Sequence, residues 1–246
     1  MSLHVEFDAY LDEIRGQAAA LRAAATEAGP NADVPTAPGW NVHRLVRHIA
    51  RVHNWVVLSL DADPEGERPV AERPPEDWDG VLAFWDEQLA AMLDRFRRRG
   101  PDAPARTLHG AGTTAFWARR QAHETAIHRL DAEHAAHGDV VDHLVFDPEF
   151  AADGIDEVLN LIIDRPARAS GTVLYHAADA GRAWLVTATA GEPPHCTELA
   201  GDVDTGLDTD GSVVGTADAV YRAVWKRPSH AVIGGDRALV DGIHVP

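Results

Sequence analysis

The stretch FWARRQAHETAIHRLDAE, residues 116–133, decides how this chain folds and where its chemistry sits. Apolar and small residues recur through it at helical spacing, so it reads as a helix. It comes close to the HExxH pattern of zinc proteases but departs from it, because Ile127 stands where the second histidine would be. His123 and His128 are five residues apart, about 140° around an ideal helix, and cannot easily share one metal. Glu124 and His128 are four apart, about 40° around the helix, and can bind one ion together. Trp117 lies on the same strip, so the strip need not be fully solvated. Arg120, Glu124 and His128 also have the i, i+4, i+8 spacing of an exposed, salt-bridged helix face. Spacing alone leaves both readings open.

A third ligand has to come from another helix. The stretch GWNVHRLVRHIARVHNW, residues 39–55, supplies candidates. Val42, Leu45, Ile49, Val52, Val56 and Leu60 form one apolar stripe, and Asn41 is a plausible N-cap. His48 borders this stripe next to Leu45 and Val52; His53 borders its other edge and is the runner-up. Two histidines and one carboxylate suit zinc with an open fourth position, where a substrate or thiol can coordinate. Iron or nickel would accept the same donors. The tryptophans at 40, 55, 78, 85 and 117 read as core rather than as a ligand cage.

Outward from these helices, residues 4–28 and 76–99 carry two more amphipathic patterns, and residues 113–137 complete a set of four. Gly29-Pro30 ends the first, and a proline-rich loop, 64–75, separates the second from the third. The basic run Arg95, Arg97, Arg98 and Arg99 closes the third helix, where it complements the helix dipole. A shorter helical pattern spans 150–163. After Arg165-Pro166 the texture changes. Residues 172–177 and 184–190 read as strands, 212–215 as a short strand or turn, 217–225 as a helix and 231–236 as a strand and turn. The expectation is an α+β protein with a helical domain over 1–165 and a small α+β domain over 166–246.

Composition narrows the function. A net charge of −17, from 39 acidic and 22 basic residues, disfavours nucleic acid as a partner. The single cysteine, Cys196, excludes a disulfide framework and a cysteine-based zinc site, and fits a reducing cytoplasm. Neither a signal peptide nor a membrane-length apolar run is evident, so no membrane partner is expected. Asp202, Asp204, Asp208 and Asp210 alternate with Gly and Thr but lack calcium-loop spacing, and read as a polar loop.

Residues 39–55 and 116–133 resemble the second helix and the metal-binding helix of the mycothiol-dependent maleylpyruvate isomerase family, a branch of the DinB-like helical bundles. VVGTADAVYRAVWKRP (213–228) and VIGGD (232–236) resemble its C-terminal domain. The resemblance implies a DinB-like four-helix bundle followed by the family's α+β domain. It implies that His48, Glu124 and His128 bind zinc, and that a C-terminal arginine, matched best by Arg227, takes part in catalysis. It also implies that mycothiol supplies the sulfur. Its thiolate would add to the cis double bond of maleylpyruvate, allow rotation, and leave to give the trans acid. The chain departs from the family at Asn41, where Ser or Thr is usual, and at Arg44, where Asp is usual. The latter adds positive charge near the site mouth. The partners implied are a small electrophile and a low-molecular-weight thiol, acting on a monomer or weak homodimer. Two alternatives remain: a mycothiol S-transferase, and a metal- or ligand-binding module without turnover.

Overall fold

The structure is a computed structural model that describes residues 6–138, 141–200 and 207–243. The chain forms two compact units that divide between Asp142 and His143.

The first unit holds four long helices: α1 (Phe7–Ala28), α2 (Val42–Asp61), α3 (Trp78–Arg99) and α4 (Thr114–His137). Helix α1 lies along α4, and α2 lies along α3. Their apolar stripes meet in a core that includes Leu21, Leu45, Ile49, Val81 and Trp85. Helix starts follow the side chains. The Asn41 carboxamide accepts from the Arg44 amide at 2.9 Å, and Asp77 accepts from the Gly80 amide at 2.7 Å. Each such cap is worth about 1 kcal/mol. Arg97, Arg98 and Arg99 fall in the last turn of α3, and Arg99 also donates to the Pro104 carbonyl at 2.5 Å. The dipole reading of that run therefore agrees with its placement.

A short hairpin, β1 (Pro104–Thr107) with β2 (Gly110–Thr113), leads into α4. Sequence periodicity does not register so short a pair. It matters because the Arg106 carbonyl accepts from the Trp117 indole at 2.7 Å, which fixes the first turns of α4. Helix α4 is enclosed on most sides: Ala118, Ala122, Ala126 and Leu130 are fully buried, and so are His123 and Asp131. An enclosed helix has no polar face to mark its orientation, so its sequence shows little amphipathic contrast.

The second unit begins with α5 (Pro148–Glu157), continued by one π-helical stretch, Val158–Ile162. Its strands are β3 (Gly171–Ala177), β4 (Arg182–Ala188), β5 (His195–Leu199), β6 (Gly211–Gly215) and β7 (Val232–Gly235). They form one sheet in the order β5-β4-β3-β6-β7, parallel only between β3 and β6. Helix α6 (Ala217–Val224) packs on β3 and β6, and α7 (Arg237–Gly242) follows β7. Gly235 has φ +69, and a Cβ there would overlap the Asp210 carbonyl, so only glycine fits the turn that brings β7 onto β6.

The domain boundary expected after residue 165 is thus corrected to 142/143. Helix α5 belongs with the sheet: Phe146 and Phe150 meet Tyr221 of α6 at ring separations of 5.2 and 6.2 Å, and the Trp184 indole donates to Asp156 at 3.2 Å. Periodicity identifies a helix but not its partner. Strand β5 and helix α7 are further elements that the sequence reading leaves unassigned. Of the suspected acidic loop, Asp202 and Asp204 lie outside the described residues. Asp210 accepts from the Thr172 amide at 2.8 Å, a structural bond. Among the described residues no helix is long and apolar enough to cross a membrane.

Candidate metal centre

The contact between α2 and α4 brings His48 to Glu124 and His128. Glu124 Oε1 lies 3.1 Å from His48 Nε2 and 3.3 Å from His128 Nε2. Neighbouring donors on a tetrahedral zinc, each about 2.0–2.1 Å from the ion, stand about 3.3 Å apart. One donor atom from each residue can be chosen so that all lie within 4.8 Å of one another. Small side-chain shifts would therefore suffice to surround an ion.

The surroundings hold these donors in binding order. Burial alone would raise the Glu124 pKa, but bonds from His128 and His48 and the Arg120 guanidinium hold it well below the usual carboxylate range. Arg120 Nη2 donates to Glu124 Oε2 at 2.6 Å, which leaves Oε1 facing the histidines. His128 Nδ1 lies 2.9 Å from Asp131 Oδ2, and Thr36 donates its hydroxyl to Asp131 Oδ1 at 2.5 Å. A histidine whose Nδ1–H is bound to a carboxylate presents Nε2 to a metal, and the carboxylate fixes its ring. Burial would lower the His128 pKa, but Asp131 and Glu124 together push it up to about 9. The donor set thus fits a divalent cation: one carboxylate anion, and two imidazoles of which one must give up a proton to bind.

Trp40 forms one wall, 5.1 Å from the His48 ring and stacked on His128 at 6.3 Å. The core assignment of the tryptophans holds for Trp85 and Trp117, both 1% exposed, and Trp40 and Trp78, partly buried, pack against the same core, Trp40 while also walling the histidines. The exposed ion-pair reading of α4 also fails, because Arg120 and His128 are buried.

The other sequence candidates fall elsewhere. His53 is fully buried: its Nδ1 accepts from the Trp85 indole at 3.1 Å and its Nε2 lies 3.3 Å from the Thr125 hydroxyl. Burial pushes its pKa down to about 3, so it is a neutral core histidine and not the third ligand. His123 turns toward Tyr10 of α1, with ring centroids 6.4 Å apart. Arg227 belongs to the second unit, where Nη1 donates to the Trp225 carbonyl at 2.7 Å. It borders a cavity of about 270 Å³ shared with Tyr175, Lys226 and Arg237. Cys196 stands on strand β5, and burial pushes its thiol up to about 12, which makes it a poor nucleophile. Asp131 and Thr36 are the residues that sequence reasoning misses. The signal for Asp131 is the His-x-x-Asp spacing on α4; Thr36 gives none.

Two depressions in the first unit meet at His48. One, of about 450 Å³, is lined by Val52, Trp55, Arg51 and the loop from Arg68 to Ala71. The other, of about 560 Å³, runs past Trp40, His43 and Arg44 to Arg73 and Glu76. The arginine expected to add charge at the mouth, Arg44, stacks over Trp40 at 5.1 Å.

Comparison with known proteins agrees with this architecture. The sequence profile of the mycothiol maleylpyruvate isomerase N-terminal domain matches residues 11–133. No curated protein sequence matches at a significant level. Among solved structures, the mycothiol-dependent maleylpyruvate isomerase aligns at TM-score 0.63 and 13% identity, over 98% of this chain and 95% of that one. A histidine-to-alanine mutant of a mycothiol-dependent maleylpyruvate isomerase aligns at TM-score 0.67 and 12% identity, with the same coverage. At such identity the structural likeness is one of fold, and it extends through both units. With half its length matched by the family profile, the chain belongs to the mycothiol maleylpyruvate isomerase family.

Proposed function

We propose that this chain is a cytoplasmic, mycothiol-dependent enzyme in which His48, Glu124 and His128 hold one divalent metal, zinc in preference to iron or nickel. Its reaction is reversible thiolate addition to an unsaturated acid, with cis–trans isomerisation of maleylpyruvate or a related acid as the outcome. The observation that carries this reading is the convergence of two imidazoles and a carboxylate from two helices, with Asp131 orienting His128. Bound there, a divalent metal would supply the Lewis acidity that keeps a thiol ionised near neutral pH.

The chain's own residues do the rest. Glu124 remains an anion because Arg120 and the two histidines surround it. Trp40 covers the histidines on one side and limits water there. Addition of a thiolate to the cis carbon–carbon double bond moves an electron pair onto the adjacent carbonyl and leaves a single bond free to rotate. Expulsion of the same thiolate restores the double bond as trans, with no net change in atoms. The transient enolate and the substrate carboxylates need a fixed cation. We assign that role to Arg227, whose planar fork suits a carboxylate.

The test is incubation of the metal-loaded protein with mycothiol and a panel of cis-enoic acids, followed by mass spectrometry. Thiol-dependent conversion to a trans isomer of unchanged mass is expected; a stable S-conjugate would make the protein a transferase instead. For Arg227→Lys, turnover should fall at least tenfold while metal content and Tm stay at wild-type values. A fall in Tm that accounts for the lost activity would return Arg227 to a helix-capping role.

A further inference from the structure

We propose that the depression lined by Arg51, Trp55, Arg68 and Val70 is the binding groove for the acidic substrate, and that this substrate is an amphipathic carboxylate with an apolar body. The substrate assignment rests on the metal and thiol reading above; apart from His48 at its inner end, the groove is lined by residues that the metal reading does not use.

Charge gives the first argument. In a chain of net charge −17, carboxylates are plentiful. Several arginines of this unit are paired with them: Arg22 with Asp86 at 3.0 Å, Arg47 with Glu76 at 2.6 Å and Arg95 with Asp61 at 2.7 Å, whereas Arg44 is instead stacked over Trp40. Arg51 and Arg68 have no acidic partner among the described residues, although both border the same concavity beside His48. Arg68 is also held in place, its guanidinium lying 4.0 Å over the Trp55 ring. A cation fixed on an aromatic face, with its donor edge free, is prepared for an oxyanion.

Shape gives the second argument. The groove measures about 450 Å³, within the usual range for small-molecule sites. Between its arginines the lining is apolar: Val52, Trp55, Pro69, Val70 and Ala71. Val70 is 84% exposed on the lip, so the free protein leaves a β-branched side chain in water at this point. A short dicarboxylate has no hydrocarbon to cover that surface. An acid carrying an alkyl or aromatic body, a related acid rather than maleylpyruvate itself, would cover it and place its distal carboxylate, not the one assigned to Arg227, against Arg51 and Arg68. The neighbouring depression carries more arginines, Arg44, Arg47 and Arg73 besides the shared Arg51, but its lining has no aliphatic side chain apart from Pro74, so it is the poorer place for an apolar body.

The experiment is calorimetric titration of the zinc-loaded full chain with butanoate, hexanoate and octanoate, and with 1-octanol as the uncharged control. Zinc content is measured on the same samples. Affinity should rise up to about fourfold per added methylene, and octanoate should bind at least about tenfold more tightly than octanol. The double variant Arg51→Ala, Arg68→Ala should lose about tenfold in octanoate affinity with octanol unaffected. Val70→Asp should flatten the chain-length dependence. All three substitutions are at exposed side chains, so folding should be retained. Absence of saturable octanoate binding in zinc-replete protein, equal binding of octanol, or an unchanged double variant would each overturn the groove assignment while leaving the metal centre standing. Arginine-dependent octanoate binding in protein that takes up no zinc would keep the acid site and remove the metal reading.

Discussion

Two histidine clusters lie between α2 and α4, and they illustrate opposite uses of the same residue. In one, His48 and His128 converge on Glu124, with Asp131 and Arg120 behind them. In the other, His53 sits between Trp85 and Thr125, with only neutral hydrogen-bond partners. Burial disfavours charge on both buried rings. Two carboxylates reverse that for His128 and push it up to about 9, whereas nothing adjacent does so for His53, which falls to about 3. The difference lies in the partners and not in depth, since His128 is 8% exposed and His53 0%. An anionic cluster behind a histidine prepares it for a cation; a neutral one makes it part of the core.

The sharpest way to separate the clusters is to remove the shared anion. Glu124→Ala would remove a buried 2.6 Å ion pair with the Arg120 guanidinium, which is 6% exposed. A loss of about 3 kcal/mol in unfolding free energy is expected from denaturant titration of metal-free protein, together with loss of metal binding. His53→Ala should destabilise by about 2 kcal/mol, because the buried Trp85 indole loses its acceptor. Metal content should nevertheless stay at the wild-type level. Equal loss of metal in both variants would erase the distinction between them.

Asp131→Asn probes the support behind His128. The fold should survive, but metal affinity, measured by competition with a chromophoric chelator, should fall about tenfold to a hundredfold. An unchanged affinity would mean that Asp131 does not orient His128 for a metal.

pH gives a smaller and graded effect. The His128 pKa is raised from 6.5 to about 9 in the folded, metal-free protein. Its contribution to stability is therefore fully present below the unfolded value of about 6.5 and is lost as pH rises toward 9. The Tm of metal-free protein should decline through that window, and the decline should vanish in His128→Ala. Because the bound imidazole must be neutral, metal uptake at pH 7.5 should release about one proton, readable as a buffer-dependent heat. The smallest effect belongs to Cys196→Ser, which should leave turnover unchanged. Loss of activity with fold and metal intact would move the sulfur chemistry from an external thiol onto the chain.

Much of the first cluster was legible in the sequence, and the reason is geometric. The spacing of Glu124 and His128 places them on one face whatever surrounds the helix, and the position of His48 beside an apolar stripe puts it at a helix–helix boundary. What spacing could not supply was environment. The i, i+4, i+8 pattern from Arg120 to His128 is the same on an exposed helix and on an enclosed one, and only the packing of α1 and α2 around α4 decides between them. His53 was ambiguous for the same reason, since its partners Trp85 and Thr125 come from two other helices. The misplaced boundary after residue 165 has a related origin: α5 is amphipathic, and nothing local says that Tyr221, some seventy residues on, is what it covers. Short elements such as β1–β2 and β5 carry too few alternating residues to register as strands.

The central claim is that the cluster holding Glu124, and not the one holding His53, binds a metal. The most direct measurement is zinc stoichiometry by elemental analysis of purified wild type, His48→Ala and His53→Ala, each reconstituted with excess zinc and then desalted. The account predicts about one zinc per chain in wild type and in His53→Ala, and almost none in His48→Ala. Retention of zinc by His48→Ala with loss in His53→Ala, or no zinc in any of the three, would contradict it.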